Sequence, residues 1–127
     1  MVRLFLTVAA ILGGTSVAAG AFASHALKET LTDRAMEIFE TGARYQMYHA
    51  LALLAVALLL LRGDSSQPQA WLTTAGLAFI TGVLLFSGSL YALSLSGVKI
   101  LGAVAPIGGA AFLIGWGCLA MAAWSYK

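Results

Sequence analysis

Four stretches of this chain each run for roughly the thickness of a bilayer without a charged residue inside them. They are Leu4 to Ser24, Tyr45 to Leu61, Trp71 to Leu95 and Gly102 to Trp124. Crossing the hydrocarbon takes about 20 helical residues at about 1.5 Å each. A lipid-embedded backbone must also satisfy its own hydrogen bonds, and a helix does so within one segment. The pattern therefore predicts an all-α, polytopic membrane protein, with residues 1–127 forming a single four-transmembrane-helix bundle domain. Composition closes off a soluble alternative. The chain is 61% hydrophobic and 9% charged, with a mean hydropathy of +0.92. Soluble domains carry about 25% charged residues, and a chain of this size hides too little surface from water to bury so much apolar area.

The first run has a second reading. Ala21-Phe22-Ala23 fits a signal-peptidase site after a short basic start at Arg3. Signal-peptide apolar regions extend only about 7–15 residues, and this run is close to a full span. It also carries Ala10, Gly14 and Ala18 at i, i+4, i+8, a small-residue ridge of the kind lipid-embedded helices use to approach one another. The expectation is a permanent first helix with that ridge turned into the bundle. Gly88, Gly108 and Gly109 are expected to serve packing in the third and fourth spans in the same way.

Polar breaks separate the runs. "RGDSSQPQ" reads as a turn with Pro68 opening the next helix. "SGVK" offers Gly97 as a helix C-cap. Four spans put both termini and the 62–70 turn on one side, here called the terminal side. The 25–44 segment and the 96–101 turn share the far side. Trp71, Trp124 and Tyr126 mark an aromatic belt on the terminal side. Arg3, Arg62 and Lys127 face Lys28, Arg34, Arg44 and Lys99 across the membrane, too even a division to orient the protein.

The segment before the second span, "TLTDRAMEIFETGARYQMYHAL", reads as an amphipathic extension running into the membrane. Thr32 is placed to cap it, and Asp33 follows in the first turn, where the helix dipole favours an anion. At about 100° per residue, Ala35, Ile38, Phe39, Gly42, Gln46 and His49 form one stripe. Asp33, Glu37, Glu40 and Arg44 form the opposite one, with Glu40 and Arg44 spaced as an i, i+4 pair. A solvated interfacial face explains these charges more simply than a cation site does.

Polar residues in lipid need partners, and ionisable ones mark sites. His25 follows Ala18 and Ala21 at helical spacing, which would direct it into the bundle with the small-residue ridge. His49 shares a stripe with Gln46, and Ser87, Tyr91 and Ser94 recur along the third span. Pro106 opens the possibility of a freed carbonyl in the fourth. His25, Gln46, His49, Ser87 and Tyr91 are thus the candidate ligand-binding set, expected at similar depth on a shared far-side rim. Two histidines without a third ligand make a weak case for zinc, which takes three or four, and no catalytic residue, metal or cofactor is expected. The lone Cys118 cannot form an internal disulfide. A net charge of +2, scattered, excludes nucleic acid as a partner. Membrane lipid is the expected environment.

The motifs "GAFASHALK", "YQMYHALALL", "FSGSLYALSLSG" and "APIGGAAFLIGW", in this order, resemble an uncharacterised family of small bacterial inner-membrane proteins related to transmembrane protein 256. The likeness covers about Gly13 to Trp116. The family usually has glycine where this chain has Ala23. The resemblance implies a multi-pass protein of the bacterial inner membrane and carries no activity, ligand or catalytic residue with it. Three functions stay open. The first is a non-enzymatic scaffold or accessory subunit that self-associates or packs into a larger membrane complex. The second is a small transporter, pore or ligand-binding protein working at the His25–His49 site. The third is a cofactor-binding membrane enzyme.

Overall fold

The computed structural model describes residues 1–63 and 69–125. The apolar runs become four helices, α1 Val2–Phe22, α2 Asp33–Arg62, α3 Gln69–Ser96 and α4 Ala105–Trp124. Each is long and apolar enough to cross a membrane. The expected turn at Pro68 and the belt residue Tyr126 lie outside the described residues.

Local chemistry sets the helix ends on the far side. α1 runs on into one π-helical stretch, Ala23–Leu27. The Thr32 hydroxyl then caps α2 by accepting the Ala35 N–H at 3.2 Å. The amphipathic segment is therefore the first third of a single 30-residue α2, continuous with its apolar part. α3 ends where Gly97 takes φ +71°, a left-handed conformation open to glycine, with its N–H bonded to the Leu93 carbonyl. A 3₁₀ segment, Lys99–Ala103, leads into α4. Pro106 lies in the first turn of α4, where no intrahelical hydrogen bond is lost. Pro106 thus stands at the far-side start of the fourth span, as expected.

α1 packs along α2, α2 along α3, and α3 along α4. Packing here works by large rings entering glycine notches. Phe5 of α1 fills the space beside Gly76 of α3, Phe112 of α4 that beside Gly82, and Phe79 of α3 that beside Gly115. Gly108 brings α4 against the Phe86 backbone of α3. Around these contacts Leu53, Val56 and Leu72 close a dry core toward the terminal side. Helices in lipid gain nothing from hydrophobic transfer against one another, so close fit of this kind is what holds them together.

The packing faces differ from expectation in α1. Ala10, Gly14 and Ala18 are exposed, and the buried residues are Phe5, Ala9 and Ser16. Ser16 lies about 200° around the helix from both Gly14 and Ala18, so burying its hydroxyl turns the ridge outward. Gly88 is exposed as well, and neither it nor Gly109 has a neighbour within 4 Å of a built Cβ. Of the six residues expected to pack helices together, Gly108 does so. Glu40 and Arg44 do not close an ion pair; among the described residues the one salt bridge is Arg34–Glu37, 2.7 Å, on the solvated face.

These notches make a paired prediction. A methyl group at Gly108 meets Phe86 backbone that cannot rotate away, so Gly108→Ala is expected to cost about 1–3 kcal/mol through overpacking. Gly88→Ala meets nothing and is expected to be neutral or stabilising by up to about 1 kcal/mol through helix propensity. Equilibrium unfolding in mixed detergent micelles reads both. Equal effects would contradict the α3–α4 contact.

Candidate functional site

Gln46 is the junction of the polar residues. It is buried on the face of α2 shared with Gly42 and His49. Its Nε2 donates to the Leu12 carbonyl at 2.9 Å and to Thr15 Oγ1 at 2.8 Å, both on α1. A carbonyl can only accept, so the amide orientation follows from Leu12. The opposite end, Oε1, accepts the Tyr91 hydroxyl of α3 at 2.7 Å. One side chain thus joins three helices. Two serines tighten the same level. Ser16 donates to the Ala43 carbonyl and Ser87 to the Gly42 carbonyl, each at 2.7 Å. Phe39 covers Tyr91, with ring centroids 4.8 Å apart. Gln46, Ser87 and Tyr91 are brought together as expected, and their polar groups answer one another. Ser94 turns back to the Tyr91 carbonyl of its own helix.

His49 belongs to a second, aromatic cluster. Its Nδ1 is 2.7 Å from the Tyr45 carbonyl, and its Nε2 lies 3.2 Å from Trp116 Nε1 of α4. An indole N–H only donates and a carbonyl only accepts. Both contacts are satisfied by one tautomer, with the proton on Nδ1 and the Nε2 lone pair toward Trp116. The imidazole lies flat on Phe112, with centroids 3.4 Å apart and planes 5° from parallel. Phe79 and Trp116 meet edge to face below it, 5.2 Å apart.

These rings line a cleft of about 370 Å³ between α2, α3 and α4. α2 contributes Tyr45, Tyr48 and His49, and α3 contributes Phe86. α4 supplies Gly109, Phe112, Leu113 and Trp116. The missing side chain at Gly109 helps leave it open. The outer wall is lipid-facing, with Leu113 74% exposed. Rings from both helices, His49 of α2 and Phe112 and Trp116 of α4, bridge α2 and α4 here.

His25 joins neither cluster. It is exposed on the π-helical turn and makes no side-chain hydrogen bond among the described residues. It shares a face with Ala18 and Ala21, as the spacing predicts, but that face is the outward one. Ser16 lies beside Ala43. His25 is nine residues past Ser16 in one direction along the bundle, and His49 six past Ala43 in the other. The two imidazoles are therefore separated by about 20 Å along the axis, and the expected equal depth is corrected. Among the described residues no group of three or more His, Cys, Asp or Glu could hold a metal ion.

Trp116 is the residue that sequence reasoning missed. Tryptophans favour the membrane interface, where Trp71 and Trp124 fall at helix ends. One in the middle of an apolar span needs an acceptor for its N–H, and that requirement was the available signal.

The Gln46 junction predicts unequal costs. Gln46→Leu removes links to two neighbouring helices and is expected to cost about 1–2 kcal/mol, against about 0.6 kcal/mol for the single bond lost in Ser87→Ala. Unfolding in mixed micelles compares them, and a Gln46→Leu no worse than Ser87→Ala would remove the junction from the account.

Comparison with known proteins agrees with this architecture. Residues 19–109 match the family model described as "Protein of unknown function (DUF423)". The chain is 41% identical to the UPF0382 membrane protein YwdK of Bacillus subtilis over 124 residues, 98% of each chain. It is 41% identical to a UPF0382 membrane protein of Haemophilus influenzae over 127 residues, 100% of this chain and 98% of that one. Identity to the UPF0382 inner membrane protein YgdD of Escherichia coli is 39% over 121 residues, 95% of this chain and 89% of that one. No solved structure matches. With four helices able to span the bilayer and relatives of this closeness along nearly its whole length, the chain belongs to the DUF423, or UPF0382, family of bacterial membrane proteins, whose molecular role is unknown.

Proposed function

We propose that the protein is a non-enzymatic membrane scaffold or accessory subunit that associates through the outer face of α1, with further copies of itself or within a larger membrane complex. The observation that carries this reading is the direction of the Ala10–Gly14–Ala18 ridge. It faces away from the bundle: Ala10, Gly14 and Ala18 are exposed, and nothing lies within 4 Å of a Cβ built at Gly14. Small residues repeated along one side of a span allow helix backbones to approach closely. α1 uses its other side for α2, through Ser16, Thr15 and the Leu12 carbonyl. A ridge left open while its helix is already anchored is suited to an external neighbour.

The transporter and enzyme readings need polar groups free to meet a substrate. Gln46, His49, Ser87 and Tyr91 are each engaged by protein partners, which favours a structural role for them.

The test is association in lipid. Subunit counting by single-molecule photobleaching in dilute liposomes, with co-purification in mild detergent, is expected to find assemblies in the wild type. Gly14→Ile, which places a branched side chain on the ridge, is expected to weaken association at least tenfold, about 1.4 kcal/mol. Gly117→Ile, at another open glycine on α4, is expected to leave it unchanged. A wild-type protein that stays monomeric and retains no partner overturns the reading.

A further inference from the structure

We infer that the aromatic cleft between α2, α3 and α4 binds the neutral, planar, oxygen-bearing head of a molecule dissolved in the membrane, and that the quinone class meets these demands. The inference does not depend on association through α1, which lies on a different helix.

Size comes first. Small-molecule sites typically enclose about 300–1,000 Å³, so a cleft of about 370 Å³ suits a head of one or two fused rings. Depth comes second. Arg44 is the last charge on α2 before Arg62, and Tyr45 follows it directly. Gly109 and Trp116, on α4, are about 6 and 16 Å from its first residue, Ala105. The cleft thus reaches from the far-side interface toward the middle of the bilayer. Its rim residues Leu113 and Tyr48 are 74% and 51% exposed, giving sideways access from lipid.

Chemistry selects the ligand. No Asp, Glu, Lys or Arg lines the cleft, so an ionised head would enter without a counter-charge, at high cost in a low-dielectric site. Aromatic boxes do attract cations through ring faces, but His49 and Phe112 each cover one face of the other. The ring nitrogens of His49 and the Trp116 N–H are already occupied. Among the lining residues the side-chain donors left are the hydroxyls of Tyr45 and Tyr48, neither with a protein partner among the described residues. Phenol donors beside aromatic walls fit a flat ring carrying carbonyl oxygens. A bare acyl chain would leave the phenols unanswered.

Trp116 supplies the readout. In a Trp71→Phe/Trp124→Phe background it is the one remaining tryptophan, and quinones quench indole fluorescence on contact. With the protein in phosphatidylcholine nanodiscs, titration with menadione is expected to quench Trp116 saturably. Gly109→Leu fills the cleft where a Cβ meets no neighbour and is expected to raise the half-saturation concentration at least tenfold. Tyr45→Phe with Tyr48→Phe keeps both rings and is expected to raise it several-fold, which tests the inference even if Gly109→Leu fails to fold. Gly117→Leu is expected to match the parent protein. Quenching that rises linearly and equally in all variants overturns the inference, since it reports collision in the bilayer around a cleft filled by lipid chains. Displacement of menadione by equimolar tetraphenylphosphonium overturns it in favour of a cation site.

Discussion

The bundle turns on one amide. Gln46 is polar, buried and embedded where water cannot answer it, so its hydrogen bonds must come from protein. Its two donors draw in the Leu12 carbonyl and Thr15, and its oxygen draws in Tyr91. Each requirement sets the rotation of a neighbouring helix. With Thr15 and Ser16 turned toward α2, α1 has no choice of face. With Tyr91 turned the same way, α3 places Ser87 over the Gly42 carbonyl one turn away. Interhelical hydrogen bonds in membranes are individually small, about 0.6 kcal/mol on average. Their larger effect here is to choose one rotational setting among several that the apolar surfaces would accept.

The aromatic cluster obeys the same rule with different parts. His49 brings two ring nitrogens into the bundle. The backbone of its own helix answers one, and an indole on α4 answers the other. Stacking on Phe112 fixes the ring plane. The polar junction and the aromatic cluster divide the buried stripe of α2 between them, one facing α1 and α3, the other facing α4.

Much of this was legible from residue order. Four charge-free runs of bilayer length leave no soluble alternative, and Thr32 and Gly97 mark helix ends through chemistry that acts over three or four residues. The grouping of Gln46 with Ser87 and Tyr91 follows from helical spacing and the need for partners. The facing of α1 was not legible. Its Ala10–Gly14–Ala18 ridge and its Phe5–Ala9–Ser16 stripe both fit a helical period, and only the acceptors needed by Gln46 on another helix decide between them. His25 was misplaced as a consequence, because it travels with the ridge. Trp116 escaped notice because the demand of its N–H is met by a residue 67 positions away.

The fourth helix is attached differently from the others. Among the described residues one side-chain hydrogen bond, from Trp116 to His49, ties it to the rest; otherwise it is held by packing, through rings in glycine notches, the close approach at Gly108 and the stack of Phe112 on His49. The first three helices can therefore lock their mutual rotation while the last is still being synthesised. The hydrogen bonds that set the rotation of these three need no group from the chain that follows them, whereas the place of the fourth is defined only by surfaces the others have already formed.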